Sequence, residues 1–149
     1  MEDFETAAGN LPAHHAVPAS LWIAGIASVL WNAFGCTDYT MIQLHDAAWL
    51  KMGGVDAAMM AKIDAGPLWG VAGWATGVWA SLAGSLLLLA RSRYAVPAFL
   101  ISLVGAVIGF AWQIPAGLAD PLWLPALIVA VVAAQWWFAR RMVARGVLR

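Results

Sequence analysis

The chain has 149 residues, of which 63% are hydrophobic and 11% charged, and its formal net charge is zero. Soluble domains carry about 25% charged residues, so this composition argues against a soluble enzyme and against a disordered chain, and for an integral membrane protein. With no net charge and no basic stripe, nucleic acid is excluded as a partner.

Residues 1–17 form an N-terminal tail without Lys or Arg. The first apolar stretch follows over residues 18–39. The acidic Glu2, Asp3 and Glu5 ahead of it are unlike the positive start of a secretory signal, so this stretch is expected to be a retained span. Residues 40–66 form the one long connection. Val55, Met59, Met60 and Ile63 recur there near helical spacing, Asp56, Lys62 and Asp64 are polar, and Gly53-Gly54 interrupts. Two short amphipathic segments are expected, lying on the interface or capping the bundle. The second, third and fourth apolar stretches cover residues 67–90, 94–114 and 121–139.

The four stretches are roughly 19–24 residues long, and ~20 helical residues cross the hydrocarbon core. They do not alternate as barrel strands do. The expected fold class is therefore all-α, a four-helix transmembrane bundle. Pro67, Pro97 and Pro121 sit near helix starts, where a missing N–H is harmless. Asp120 is placed to cap the fourth helix, and Arg140 and Arg141 to favour its C-terminal end. Residues 140–149 read as a basic tail. Six of the eight basic residues fall in the two tails and the second connection, so both termini are expected in the cytoplasm and the long connection outside.

Small residues form two seams. Gly70, Gly73, Gly77, Ser81 and Gly84 lie on the second helix, and Ala98, Ser102, Gly105 and Gly109 on the third. Such seams permit close backbone approach in lipid. They serve either packing within one bundle, the favoured reading, or a dimer face.

Polar groups concentrate on the first helix. Asn32 lies well inside the span and needs a partner, either Gln113 or Thr76 across the bundle, or a ligand. Asp38 lies near the outer end. It suits proton or substrate coupling, a salt bridge to Lys51 or Lys62, or an anchor for the long connection. Tyr39 shares a face with Asn32. Trp31, Trp74 and Trp79 are deep enough to stack on a ring ligand, although core packing explains them equally. Trp22, Trp69, Trp112, Trp123, Trp136 and Trp137 fit an interfacial belt. The candidate site is thus Trp31, Asn32, Asp38, Tyr39, Thr76, Trp79 and Gln113.

No catalytic residues, cofactor or metal are expected. Cys36 reads as a small buried apolar residue, and as the lone cysteine it cannot form an intrachain disulfide. His45-Asp46 lacks the further ligands a zinc site needs. His14 and His15 lie in the tail, and no apolar span carries the histidines a haem would use.

Two stretches are distinctive. One is Leu30-Trp31-Asn32-Ala33-Phe34-Gly35-Cys36-Thr37-Asp38-Tyr39-Thr40-Met41. The other begins Gly73-Trp74-Ala75-Thr76-Gly77-Val78-Trp79 and runs on through Gly84-Ser85 to Arg91-Ser92-Arg93-Tyr94-Ala95-Val96-Pro97. Together they resemble a family of small four-helix inner-membrane proteins of alphaproteobacteria, often labelled "sugar transporter". The resemblance covers about residues 20 to 112. It implies a bacterial inner-membrane location and, through the label, a sugar-like solute. It assigns no role to any residue.

Two functions are therefore expected. The first is a non-catalytic accessory or scaffold subunit of a larger respiratory or photosynthetic membrane complex, with other membrane subunits or self-association around it. The second is a small homo-oligomeric transporter of a sugar-like solute.

Overall fold

The computed structural model describes residues 17–149. His14, His15 and the acidic tail residues lie outside the described part. The described chain is all-helical: α1 Ala19–Gln43, α2 Ala47–Gly53, α3 Ala57–Asp64, α4 Leu68–Leu89, α5 Ala95–Gln113 and α6 Trp123–Ala144. Helices α1, α4, α5 and α6 are long and apolar enough to cross a membrane. Large apolar side chains such as Ile23, Leu30, Phe34 and Leu68 are exposed along them, as a lipid-facing surface requires.

Two span boundaries differ from those expected. Helix α1 runs for 25 residues, about 37 Å at 1.5 Å per residue. That exceeds the ~30 Å hydrocarbon core. Helix α6 starts at Trp123 and ends at Ala144. Asp120 does not cap it: the N-cap is Leu122 and makes no side-chain cap bond. Arg140 and Arg141 lie inside its final turns rather than in a tail.

The long connection folds as two short helices. Asp46 accepts from Trp49 N at 2.8 Å and starts α2, and Asp56 accepts from Met59 N at 2.7 Å and starts α3. Gly54 ends α2 with φ 70°, a left-handed position that suits glycine. Met60 and Ile63 of α3 bury against Ile42 of α1, with Leu50, Trp74 and Leu118 around them. The two helices thus cap the bundle of their own chain.

Helix α4 packs against both α5 and α1, and α6 packs against α5. The α4–α5 contact is made by the small-residue seams. A Cβ added at Gly105 would stand 2.6 Å from Gly77 N and 2.9 Å from Gly73 O. One at Gly109 would meet Trp74 N at 3.1 Å. Gly70 receives Trp112 and Gly84 receives the Phe99 ring, while Gly25 of α1 receives Leu89. Ser102 Oγ ties the seam by donating to Gly77 O at 2.7 Å. The seams therefore satisfy each other within one bundle.

At the opposite end from α2 and α3, Leu21, Leu88, Ala95, Phe99, Ala139 and Met142 form a closed core. Val147 and Leu148 complete it, so the C-terminal residues fold back instead of trailing as a free tail. Arg149 N donates to Arg91 O at 2.9 Å, and Arg93 N donates to Arg149 O at 2.8 Å. Arg91 Nε donates to Val147 O at 3.2 Å. Arg91 itself ends α4 in the left-handed region, φ 58°, where a non-glycine residue carries a strain of roughly 1–2 kcal/mol.

The two ends differ in charge. Arg91, Arg93, Arg140, Arg141, Arg145 and Arg149 lie at the closed end. Asp46, Asp56, Asp64 and Asp120 lie at the capped end with Lys51 and Lys62, and Asp38 sits on the side of that end.

Candidate functional site

The site begins with one buried amide. Asn32 of α1 is 4% exposed. In an apolar span its N–H groups must be answered, because an unpaired one costs several kcal/mol. Its Nδ2 donates to Ser85 Oγ at 2.8 Å, with Ser81 O at 3.2 Å and Gln135 Oε1 at 3.4 Å also within reach. Both serines direct their own protons into α4, Ser81 to Val78 O and Ser85 to Ser81 O. The Ser85 oxygen is thereby left to accept from Asn32. The amide thus bridges α1, α4 and α6, and its carbonyl oxygen takes part in none of these bonds.

Beside this cluster lies a chamber of ≈ 120 Å³ enclosed by all four long helices. Helix α1 contributes Trp31, Asn32 and Asp38, α4 Trp74 and Ser81, and α5 Ser102 and Gln113. A second chamber of ≈ 330 Å³ lies toward the capped end, beneath α2, α3 and the α5–α6 connection. The two share Asp38, Trp74, Phe110, Gln113 and Ile128 as lining, so they lie against each other. Exposed Gly53 and Asp120 bring the second chamber to the surface. The other end is sealed by the Leu21–Phe99–Met142 core.

Asp38 is the one ionisable side chain lining both chambers. It pairs with neither Lys51 nor Lys62 but accepts from Trp49 Nε1 at 2.9 Å, anchoring α2 to α1. Lys62 donates instead to Ala116 O at 3.2 Å, and His45 faces Asp64 at 3.1 Å. Tyr39 stands edge-on to Trp74, ring centroids 5.0 Å apart, and so braces a chamber wall.

The expected site residues therefore divide. Trp31, Asn32, Asp38 and Gln113 come together around the chambers, and Tyr39 supports them. Thr76 and Trp79 do not: both are exposed, and Thr76 lines a shallow apolar groove on the outer surface of α4 and α5. Neither Thr76 nor Gln113 is the partner of Asn32. Sequence reasoning missed Ser85, Gln135, Ser102, Trp49 and Phe110. Gln135 did carry a signal, as the one amide in the apolar run of α6.

Chemically, the chambers combine aromatic walls with amide and hydroxyl groups and two carboxylates, Asp38 and Asp120. No cationic side chain lines either. Such a lining suits a neutral, hydrogen-bonding ligand and disfavours an anion. Among the described residues, no group of three or more His, Cys, Asp or Glu side chains is placed to hold a metal ion. Comparison with protein-family models, with curated proteins and with solved structures gives no match.

Proposed function

We propose that this protein is a bacterial inner-membrane, multi-pass binding and transport unit for a small neutral, polyhydroxylated solute, working as a homo-oligomer. The observation that carries the reading is the polar chamber at Asn32, with a second chamber against it on the capped side and apolar packing at the other end. The larger chamber falls within the ~300–1,000 Å³ of small-molecule pockets, and the smaller one takes one end of such a ligand. Asn32, Gln113 and Ser102 supply hydrogen bonds, Trp31, Trp74 and Phe110 supply ring faces, and Asp38 stands between the chambers. The Arg-rich end belongs to the cytoplasm, which puts both termini there and opens the chamber outward. The family resemblance, with its sugar-transport label, points the same way.

The second reading is an accessory subunit of a larger membrane complex. It draws on the lipid-facing groove of α4 and α5 that carries Thr76, Leu100, Ile101 and Val104. The mutual packing of the glycine seams removes one reason for a partner surface, whether foreign or a second copy.

Extraction from the native membrane in mild detergent, followed by particle mass and identification of co-purifying chains, separates the two. A homo-oligomer free of foreign chains is expected. Stoichiometric foreign subunits would replace the transport reading with the accessory one.

A further inference from the structure

A separate groove lies at the closed end, between the start of α5 and the last turns of α6. Its volume is ≈ 530 Å³. Val96, Pro97, Val143 and Ala144 make its walls apolar, and Arg93 and Arg140 supply its charge. The Arg140 guanidinium lies 4.9 Å from the Trp136 ring centroid, and that of Arg93 lies 5.6 Å from Tyr94. A guanidinium stacked on a ring keeps its in-plane N–H donors for another acceptor. Among the described residues neither guanidinium forms an ion pair: the five aspartates lie away from this end, and the Arg149 carboxyl group accepts from Arg93 N of the backbone.

The backbone does not compete for the same ligand. At the start of α5, Tyr94 N donates to Ser92 Oγ, Ala95 N to Ser92 O and Val96 N to Arg93 O, and Pro97 has no N–H. Recognition of an anion here falls to the two guanidinium groups. The apolar walls select among anions. Free phosphate gains nothing from Val96 or Val143, whereas a phospholipid lays an acyl chain along them. Val143 and Tyr94 are exposed.

We propose that this groove is a binding site for an anionic phospholipid of the adjacent leaflet, its phosphate held between Arg93 and Arg140. Basic pockets between spans at the cytoplasmic side take such headgroups. Each basic residue near a membrane surface contributes about fivefold in affinity, so loss of both weakens binding roughly thirtyfold. Arg145 is exposed and does not line the groove. It therefore reports the general field of the end alone.

The test is native mass spectrometry of the purified full chain in detergent, with added phosphatidylglycerol or phosphatidylcholine and with inorganic phosphate as competitor. Phosphatidylglycerol is expected to be retained over phosphatidylcholine, and millimolar phosphate is expected not to displace it. R93Q/R140Q is expected to lose roughly thirtyfold in affinity. R93K/R140K, which keeps the charge, and R145Q are expected to stay within about fivefold of the parent. Equal retention of the two lipids overturns the proposal. So does displacement by phosphate, or a loss in R145Q as large as in the double glutamine variant. A melting temperature measured on every variant identifies a fold defect. If R93Q/R140Q melts early, the lysine pair decides: retained selectivity supports the site, and lost selectivity in a normally melting protein overturns it.

Discussion

The two sides of this bundle are built on different principles. Between α4 and α5 the backbones touch: Gly73, Gly77, Gly105 and Gly109 leave no room for a Cβ. Across the bundle, the side-chain hydrogen bond from α1 to α6 is a long one, Asn32 to Gln135 at 3.4 Å, beside a chamber. Lipid tails are as apolar as leucine, so close packing rather than hydrophobic burial drives association on the first side. On the second side a polar group takes its place, and polar groups deep in a membrane mark functional sites. On the proposed reading, the looser side is where a solute is admitted.

The comparison breaks first at the seam. Gly105→Leu forces side-chain atoms against the Gly77 and Gly73 backbone, and overpacking of this kind costs about 3 kcal/mol. Unfolding titrations in mixed micelles should read that loss. A loss below about 1 kcal/mol would mean that the two helices can separate without penalty, and the contrast would fail.

Asn32→Ala sharpens the other side. It leaves Gln135 Oε1 and Ser85 Oγ without their donor, and should cost about 1–2 kcal/mol in the same titration. It should also abolish solute binding. A variant with normal binding would remove Asn32 from the site.

Trp49→Phe removes the indole bond to Asp38 while keeping the ring beside Phe34. A loss of about 0.5–1 kcal/mol is expected, with faster hydrogen exchange confined to α2. Exchange that rises through α1 as well would show that the cap holds the whole outer half. The smallest effect belongs to Thr76→Val, on the lipid-facing groove. Stability should stay within about 0.5 kcal/mol, and binding should be unchanged.

Much of this architecture was legible in the residues. The four spans follow from length and apolarity, the α4–α5 contact from glycines three and four apart, and the short helices of the long connection from Val55, Met59, Met60 and Ile63 near helical spacing, with Gly53-Gly54 as the break. What escaped was set by contacts between distant segments. The need of Asn32 for a partner is visible in the sequence, but Gln135 lies 103 positions away and only the assembled bundle chooses it. Thr76 and Trp79 flank Gly77 and Val78, which line the inner chamber, and a step of about 100° per residue turns them out to the lipid. Val147 and Leu148 stand among arginines and read as a solvated tail, yet they seal the core because Arg91 and Arg93 bond to their backbone neighbourhood.

Uptake of radiolabelled neutral monosaccharides and polyols into proteoliposomes tests the central claim most directly. Saturable uptake of at least one solute is expected of the parent protein, with a loss of about tenfold or more in Asn32→Ala and parental rates in Thr76→Val. Uptake that survives in folded Asn32→Ala, or no uptake of any solute by a folded, membrane-inserted homo-oligomer, would contradict it.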